Sequence, residues 1–117
     1  GIASVLQGNE NLTAREIAAA AQKGDELAIA ALARAGKFIG QALADFLVIF
    51  NPTIVIFGGG VSFSGKFLFD PIRNVLKKTI MNLEYLDNLE ITIAKLGDDA
   101  GLLGALALAK SKIKHDN

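Results

Sequence analysis

The segment from Pro52 to Ser62 constrains the fold of this chain most, because a short β-forming run ends on three consecutive glycines. Residues Thr53 to Phe57 are β-branched or aromatic throughout, which is typical of a parallel strand covered on both faces. Glycine lacks a Cβ and permits positive φ, so main-chain N–H groups can approach a ligand closely. Ligands of open α/β sheets bind at the carboxyl edge of the strands. The pattern predicts a ligand site beside Gly58, Gly59 and Gly60, with a ligand-free strand-to-helix turn as the alternative.

The first half of the chain predicts two helices. Thr13 and Glu16 have the spacing of a capping box for a helix over about Ala14 to Lys23. Asp25 can cap a long second helix that reaches about Ile49. One apolar row of that helix forms a core face, and a second row lies beside it, made of Ala31, Ala35, Phe38 and Ala42. We therefore expect the long helix to be covered on two sides.

The second half predicts a parallel β-α-β unit. Asp70 and Pro71 are the N-cap and first residue of the expected third helix, and Glu90 to Ala94 form the second strand. Asp98 or Asp99 opens the last helix. The buried face of the third helix is expected to contain Ile72, Val75, Leu76 and Ile80. The full order is α-α-β-α-β-α, and two strands rarely form a stable sheet alone.

Composition narrows the class of protein. A chain of 117 residues normally forms one domain, and 51% hydrophobic against 21% charged residues indicates apolar surface that needs a partner. The formal net charge is zero, so no long-range attraction to nucleic acid or an anionic membrane is expected. No apolar run reaches about 18 residues and no signal peptide is indicated. With no cysteine, disulfides and thiolate metal sites are excluded, and the expected location is the cytoplasm.

Three segments resemble the ROK family of sugar kinases and sugar-responsive repressors, which have the actin-like ATPase fold. Residues 51–62 resemble the glycine-rich segment of the family's C-terminal half, and residues 96–105 resemble the motif that opens its last long helix. Asp70, Pro71 and Ile72 lie where the family begins the helix between its two strands. The resemblance covers about residues 13–109. It implies an α/β fold in which residues 1–117 form a single fragment, the C-terminal part of an actin-like ATPase (ribonuclease H-like) lobe.

The resemblance also implies a function for the complete protein. It implies ATP-dependent phosphorylation of a hexose such as glucose, with ATP and Mg²⁺ as cofactors. The family's phosphate loop, catalytic aspartate segment, sugar motif and zinc motif have no counterpart here, so the catalytic residues are expected outside this chain. The expected partners are the missing N-terminal lobe, the sugar substrate and a second copy of the protein. The residues implied to face the nucleotide are Gly58, Gly59, Gly60, Val61 and Ser62.

Two other functions stay open at this point. The same lobe occurs in the family's transcriptional repressors, where a DNA-binding winged helix precedes it. A self-sufficient small α/β module that binds a nucleotide through Gly58 to Gly60, or binds nothing, is the other alternative. Ser62 has a similar ambiguity, since a serine after a glycine-rich turn can contact a ligand or cap the local backbone.

The remaining candidate residues favour structural roles. Asp98 and Asp99 could approach a Mg²⁺ shell, but helix capping and the helix dipole explain two aspartates at a helix start. His115 is expected to be a solvated residue of a charged tail. Three aromatic residues could line an adenine slot, although core anchoring is the more usual role: Phe63, Phe67 and Phe69. A row of small residues is expected to pack against a neighbouring helix: Gly101, Gly104, Ala105 and Leu108.

Overall fold

The computed structural model describes residues 3–115 and has an α/β architecture with two parallel strands. Its elements are α1 (Ala14–Gln22), α2 (Glu26–Phe50), β1 (Ile54–Phe57), α3 (Lys66–Thr79), α4 (Glu84–Asp87), β2 (Glu90–Ile93) and α5 (Ala100–His115). Two 3₁₀ segments, Gly60–Ser64 and Gly97–Asp99, follow β1 and β2. The order differs from the prediction by the short helix α4 between α3 and β2.

The first two helices begin where the sequence predicts. At α1 the backbone N–H of Glu16 donates to Thr13 Oγ1 at 3.2 Å, and the N–H of Thr13 donates to Glu16 Oε2 at 2.9 Å. At α2 the N–H of Ala28 donates to Asp25 Oδ1 at 2.9 Å. The helix ends at Asn51, whose φ of 45° is left-handed. Side-chain acceptors thus satisfy N–H groups that have no partner within the helix.

Helices α2 and α3 cross closely and enclose most of the core. An ideal Cβ at Gly36 would lie 2.6 Å from the backbone oxygen of Leu68, and one at Gly40 would lie 2.9 Å from Val75 Cβ. The absence of side chains at these two positions lets the backbones approach. The buried cluster between the helices and the sheet contains Ala44, Leu47, Leu68, Phe69, Ile72, Leu76 and Ile80.

The start of α3 corrects one prediction. The helix begins at Lys66 rather than at Asp70 and Pro71, which lie in its second turn. Leu68 is fully buried and Phe69 nearly so, and they continue the buried face of the helix toward its N-terminus. The energy of burying these two side chains therefore outweighs the cost of a proline inside the helix. Of the four residues predicted for its buried face, three are buried and Val75 is partly buried.

The two strands pair in parallel, with Ile54 opposite Glu90 and Phe57 opposite Ile93. One face of this sheet packs against the α2–α3 core. On the other face the side chains of Ile54 and Ile56 are 45% and 60% exposed. The prediction of a strand covered on both faces is therefore wrong for this chain, because none of the described elements packs over that second face.

Helix α2 is also covered on one side only. Its second apolar row stays in solvent, since Ala31, Ala35, Phe38 and Ala42 are all exposed. Phe46 and Ile49 are exposed as well. The helix has 25 residues and is long and apolar enough to pass a length and composition test for a membrane span. Core helices of soluble proteins pass the same test, and α2 packs against α3 along one face. The prediction that both sides are covered is wrong within residues 3–115.

Helix α5 extends beyond the packed part of the chain. Its main contacts are with the 3₁₀ segment Gly97–Asp99 that precedes it, and each residue from 100 to 114 is exposed. Ideal Cβ atoms at Gly101 and Gly104 meet nothing within 4 Å, so the neighbouring helix expected beside them is not among the described elements. The side chains of Asp98 and His115 lie outside the described part of the structure, so the predictions for them stay predictions.

Candidate functional site

The glycine loop, defined as residues Gly58–Ser62, lies at the carboxyl ends of both strands. Gly58 follows β1 directly, and Ala94 follows β2. The N–H of Ala94 donates to the oxygen of Phe57 at 2.8 Å, and an ideal Cβ at Gly58 would lie 3.8 Å from Ala94 Cβ. The parallel register therefore brings the end of β2 beside the loop. This is the sheet edge at which the sequence predicts a ligand site.

Gly59 has the conformation that requires glycine in this loop. Its φ is 78° and its ψ is −172°, a region that residues with a Cβ rarely enter. An ideal Cβ at this position meets nothing within 4 Å. The requirement is therefore conformational within this chain, and open space lies where a side chain would otherwise project.

The loop presents backbone donors without partners. Within residues 3–115, no hydrogen bond is formed by the N–H groups of Gly58, Gly59 or Gly60. The loop then winds into the 3₁₀ segment, where the N–H of Ser62 donates to the oxygen of Gly59 at 3.0 Å. Successive unpaired amides at the end of a strand can donate to an anionic oxygen such as that of a phosphate. The loop therefore offers backbone donors to an anionic ligand at this sheet edge.

Ser62 has a local partner. Its side chain is 4% exposed, and its hydroxyl donates to the oxygen of Gly59 at 2.7 Å. This is the capping geometry that was the alternative to ligand contact. Val61 is partly exposed beside it. The structure thus places all five predicted site residues on one short loop, with Ser62 turned toward the loop's own backbone.

The three phenylalanines do not form a common slot. Phe69 is buried and meets Phe57 edge-to-face, with ring centroids 5.2 Å apart. Phe67 packs against the cluster between α1 and α2, whereas Phe63 lies beneath the guanidinium of Arg15. Phe67 and Phe69 thus anchor the connection to two different parts of the core, which is the more usual role expected for such aromatic residues.

Helix α1 supports the loop from outside, which sequence reasoning missed. The guanidinium carbon of Arg15 lies 4.4 Å from the centroid of the Phe63 ring. Gln22 Nε2 donates to the backbone oxygen of Phe63 at 3.3 Å. An ideal Cβ at Gly60 would be 3.6 Å from Ala14 Cβ. Because these partners are more than 40 residues apart, no local spacing could have revealed the contact.

The carboxylates with shifted pKa values belong to helix caps. Hydrogen bonds from the N–H groups of Ala28 and Val5 hold the pKa of Asp25 below its ordinary value. The N–H of Thr13 lowers the pKa of Glu16 in the same way. Each shift favours the charged form, which is the form that a cap needs. Neither carboxyl has the raised pKa of a general acid, and we assign both to structure.

A metal cage is not formed by the described residues. Among them, no three His, Cys, Asp or Glu side chains come close enough together to hold an ion. A phosphoryl transfer also needs a base for the acceptor hydroxyl and charge around the transferred group. The described part of the chain supplies the backbone donors of the glycine loop and no second catalytic group beside them.

Comparison with known proteins identifies the family. A family model described as "ROK family" matches residues 2–112. The chain belongs to the ROK family. The glucokinase of Thermotoga maritima is 36% identical over 104 residues, which cover 89% of this chain and 32% of that protein. The xylose repressor of Caldicellulosiruptor bescii is 30% identical over 102 residues, which cover 87% of this chain and 25% of the repressor.

A solved structure of a relative agrees with the fold. The ROK family glucokinase of Streptomyces griseus, in complex with glucose and AMPPNP, aligns with a TM-score of 0.67 and 35% sequence identity. The alignment covers 83% of this chain and 31% of that protein. This ROK chain thus has an actin-like ATPase type of fold and spans about a third of the length of the glucokinases it matches.

Proposed function

We propose that this ROK chain is the C-terminal segment of an ATP-dependent hexose kinase of the glucokinase type. In this proposal Gly58–Ser62 form part of the nucleotide-binding wall. The observation that carries it is the row of unpaired amides at Gly58, Gly59 and Gly60, at the carboxyl end of β1. Support comes from the ROK glucokinases, one of which has been solved with glucose and an ATP analogue.

The rest of the active site belongs to the complete kinase in this proposal. An N-terminal lobe supplies the catalytic base, most of the sugar contacts and the groups around Mg²⁺. The Mg²⁺ ion also binds the ATP phosphates. That lobe covers apolar surface that residues 3–115 leave open, including Ile54 and Ile56. The exposed row of α2, with Phe38 and Ile49, is proposed as the homo-oligomer interface. The complete protein is proposed to be cytoplasmic.

The nucleotide role is tested with Gly59→Val in the complete kinase. A valine at a φ of 78° is strained by about 1–3 kcal/mol, so the loop backbone should move away from the geometry that holds phosphate. We expect a higher apparent KM for ATP and an unchanged KM for the sugar, measured by coupled ADP release. If a folded variant keeps its ATP dependence, the loop is only a turn.

A matched control separates strain from nucleotide binding. Gly24 lies between α1 and α2 with a φ of 89° and open space at its Cβ position. Gly24→Val therefore introduces comparable backbone strain away from the strand edge. We expect it to lower thermal stability without changing the KM for ATP. An equal rise of this KM in both variants would mean that instability, and not the loop, explains the effect.

A second candidate function is the effector lobe of a ROK repressor. The observation in its favour is the similarity to the xylose repressor over 87% of this chain. Kinase and repressor differ in the polypeptide that precedes the lobe. A winged helix upstream in the same open reading frame would support the repressor, whereas a phosphate loop would support the kinase. ATP binding by the 117-residue chain alone, measured by calorimetry, would instead support a self-sufficient module.

A further inference from the structure

Phe63 is the residue through which α1 holds the glycine loop. It lies in the 3₁₀ segment Gly60–Ser64, directly after the loop residues Val61 and Ser62. The guanidinium carbon of Arg15 lies 4.4 Å from the centroid of the Phe63 ring. The backbone oxygen of Phe63 accepts a hydrogen bond from Gln22 Nε2 at 3.3 Å. One residue is thus restrained at its side chain and at its main chain, by opposite ends of the same helix.

The loop needs such an external restraint. Gly58 and Gly60 form no backbone hydrogen bond to another described element. The oxygen of Gly59 accepts hydrogen bonds only from Ser62. Three successive glycines have more backbone freedom than any other sequence. The 3₁₀ segment packs mainly against α1 and much less against α3. The position of the loop amides therefore depends on α1.

We infer that Arg15 and Gln22 are positioning residues that fix the nucleotide loop through Phe63. This inference rests on the proposed nucleotide role of Gly58–Ser62 and adds a long-range support to it. The quadrupole of an aromatic ring attracts a guanidinium placed over its face, and the planar guanidinium also packs flat on the ring. Arg15 orders the loop in the free protein, so the amides are already placed when the phosphates arrive.

The test compares Arg15→Met with Arg15→Lys in the complete kinase. Methionine retains the apolar stem and removes the cation, whereas lysine retains the cation. We expect Arg15→Met to raise the KM for ATP roughly two- to fivefold, the range that corresponds to an exposed cation–π pair. The KM for the sugar and kcat should stay unchanged, and Arg15→Lys should restore part of the loss, because lysine keeps the cation but not the planar stacking. Gln22→Met should act in the same direction.

Arg34→Met is the matched control. Arg34 lies over the Phe38 ring at 5.9 Å on α2, so the same chemical change is made at a pair outside the loop support. Because Phe38 belongs to the proposed oligomer interface, the constant compared is the KM for ATP, which Arg34→Met should leave unchanged. The inference is overturned if Arg15→Met and Arg34→Met have equal effects, or if Arg15→Lys is as impaired as Arg15→Met.

Hydrogen exchange separates this inference from the proposed function. In the 117-residue chain, Arg15→Met should speed exchange of the Ser62 amide, which donates to Gly59, and leave amides in the middle of α3 unaffected. If Gly59→Val raises the KM for ATP but Arg15→Met changes neither exchange nor KM, the loop binds nucleotide and the support by α1 is wrong. If exchange rises and neither variant changes the KM, the nucleotide role itself is wrong, and the inference fails with it.

Discussion

The helical layer of this chain and its sheet-and-α5 region differ in how completely they bury their apolar side chains. In the helical layer, α1, α2 and α3 enclose residues such as Leu47 and Ile72 that have almost no exposed surface. In the other region, Ile56 on β1 and Leu102 on α5 are 60% and 72% exposed. Both regions are rich in apolar residues, so composition alone does not distinguish them.

The difference shows that an apolar sequence pattern indicates which side chains favour burial. It does not show whether this chain contains the element that buries them. The exposed residues of β1 and α5 are those that a two-sided sheet or a helix pair would bury. Because the chain spans about a third of its glucokinase relatives, we propose that the remaining polypeptide buries them. The interior between α2 and α3 should then behave as a finished core, and the sheet face, α5 and the exposed row of α2 as an open surface.

The largest expected effect comes from Ile72→Ala in the centre of the helical layer. Ile72 is fully buried in the cluster between α2, α3 and the sheet. Truncation should lower the free energy of unfolding by about 2–5 kcal/mol, because it removes buried methylenes and leaves a cavity. Chemical denaturation of the 117-residue chain measures this.

Ile56→Ala is the control for that prediction in the open region. Its side chain is mostly in solvent, so little buried area is lost, and we expect a change within about 0.5 kcal/mol. Equal losses at the two isoleucines would mean that the sheet face is covered in solution and would contradict the contrast between the regions.

The next largest effect should be seen with Gly36→Ala on α2. A Cβ at this position would lie 2.6 Å from a backbone oxygen of α3, and a helix backbone cannot move away cheaply. Overpacking costs about 1–3 kcal/mol, which outweighs the gain of about 1 kcal/mol in helix propensity. We expect net destabilisation in a thermal melt.

Gly101→Ala should have the opposite sign. Nothing lies within 4 Å of its Cβ position on α5, so the gain in helix propensity of up to about 1 kcal/mol is not offset. Higher helicity of α5, measured by circular dichroism, should accompany it. A destabilised Gly101→Ala variant of the 117-residue chain would indicate that α5 packs against a neighbour after all.

A smaller effect is expected from Asp25, which joins the N-terminal segment to the helical layer. Its carboxylate accepts from Val5 N–H at 2.7 Å and from the Ser4 hydroxyl at 2.8 Å as well as capping α2. These bonds lower its pKa in the folded chain from the ordinary 3.8. The stabilisation is therefore complete above pH 3.8 and is lost as the pH falls through the lower folded-state value.

Asp25→Asn tests the pH dependence directly. Asparagine is a good N-cap but carries no charge. The variant should be less stable than the parent chain near neutral pH, and the difference should disappear as the parent's carboxyl is protonated. Denaturation curves over an acid pH series measure this. A difference that stays constant through the acid range would contradict the assignment.

The same contrast explains what the sequence could predict. Capping residues such as Thr13 and Asp25 act over three positions, and the β-branched run of β1 acts over five, so local patterns located these elements and the glycine loop. The start of α3 was missed because tertiary burial of Leu68 and Phe69 overrode the local proline signal. The Arg15–Phe63 contact joins two distant segments, and no local pattern encodes it.

The exposed faces were missed for a different physical reason. Periodicity shows that a face is apolar, and from this we predicted that β1 and α2 are covered on both sides. A local stretch of sequence does not contain the information about which other element packs on that face. Within residues 3–115 it is absent for Ile54 and Ile56, which is why the prediction failed there and succeeded between α2 and α3.

The smallest expected effect is at Ser64, at the boundary between the two regions. Its side chain is 1% exposed, and its hydroxyl has no hydrogen-bond partner among the described residues. An unpaired buried hydroxyl is costly, so Ser64→Ala should be neutral or stabilise the 117-residue chain by up to about 1 kcal/mol. In the complete protein, a partner supplied by the remaining polypeptide would make the same variant destabilising. Thermal melts of both proteins measure the two signs. Destabilisation already in the short chain would show that Ser64 is satisfied within it, and that the boundary of the finished region lies beyond the 3₁₀ segment.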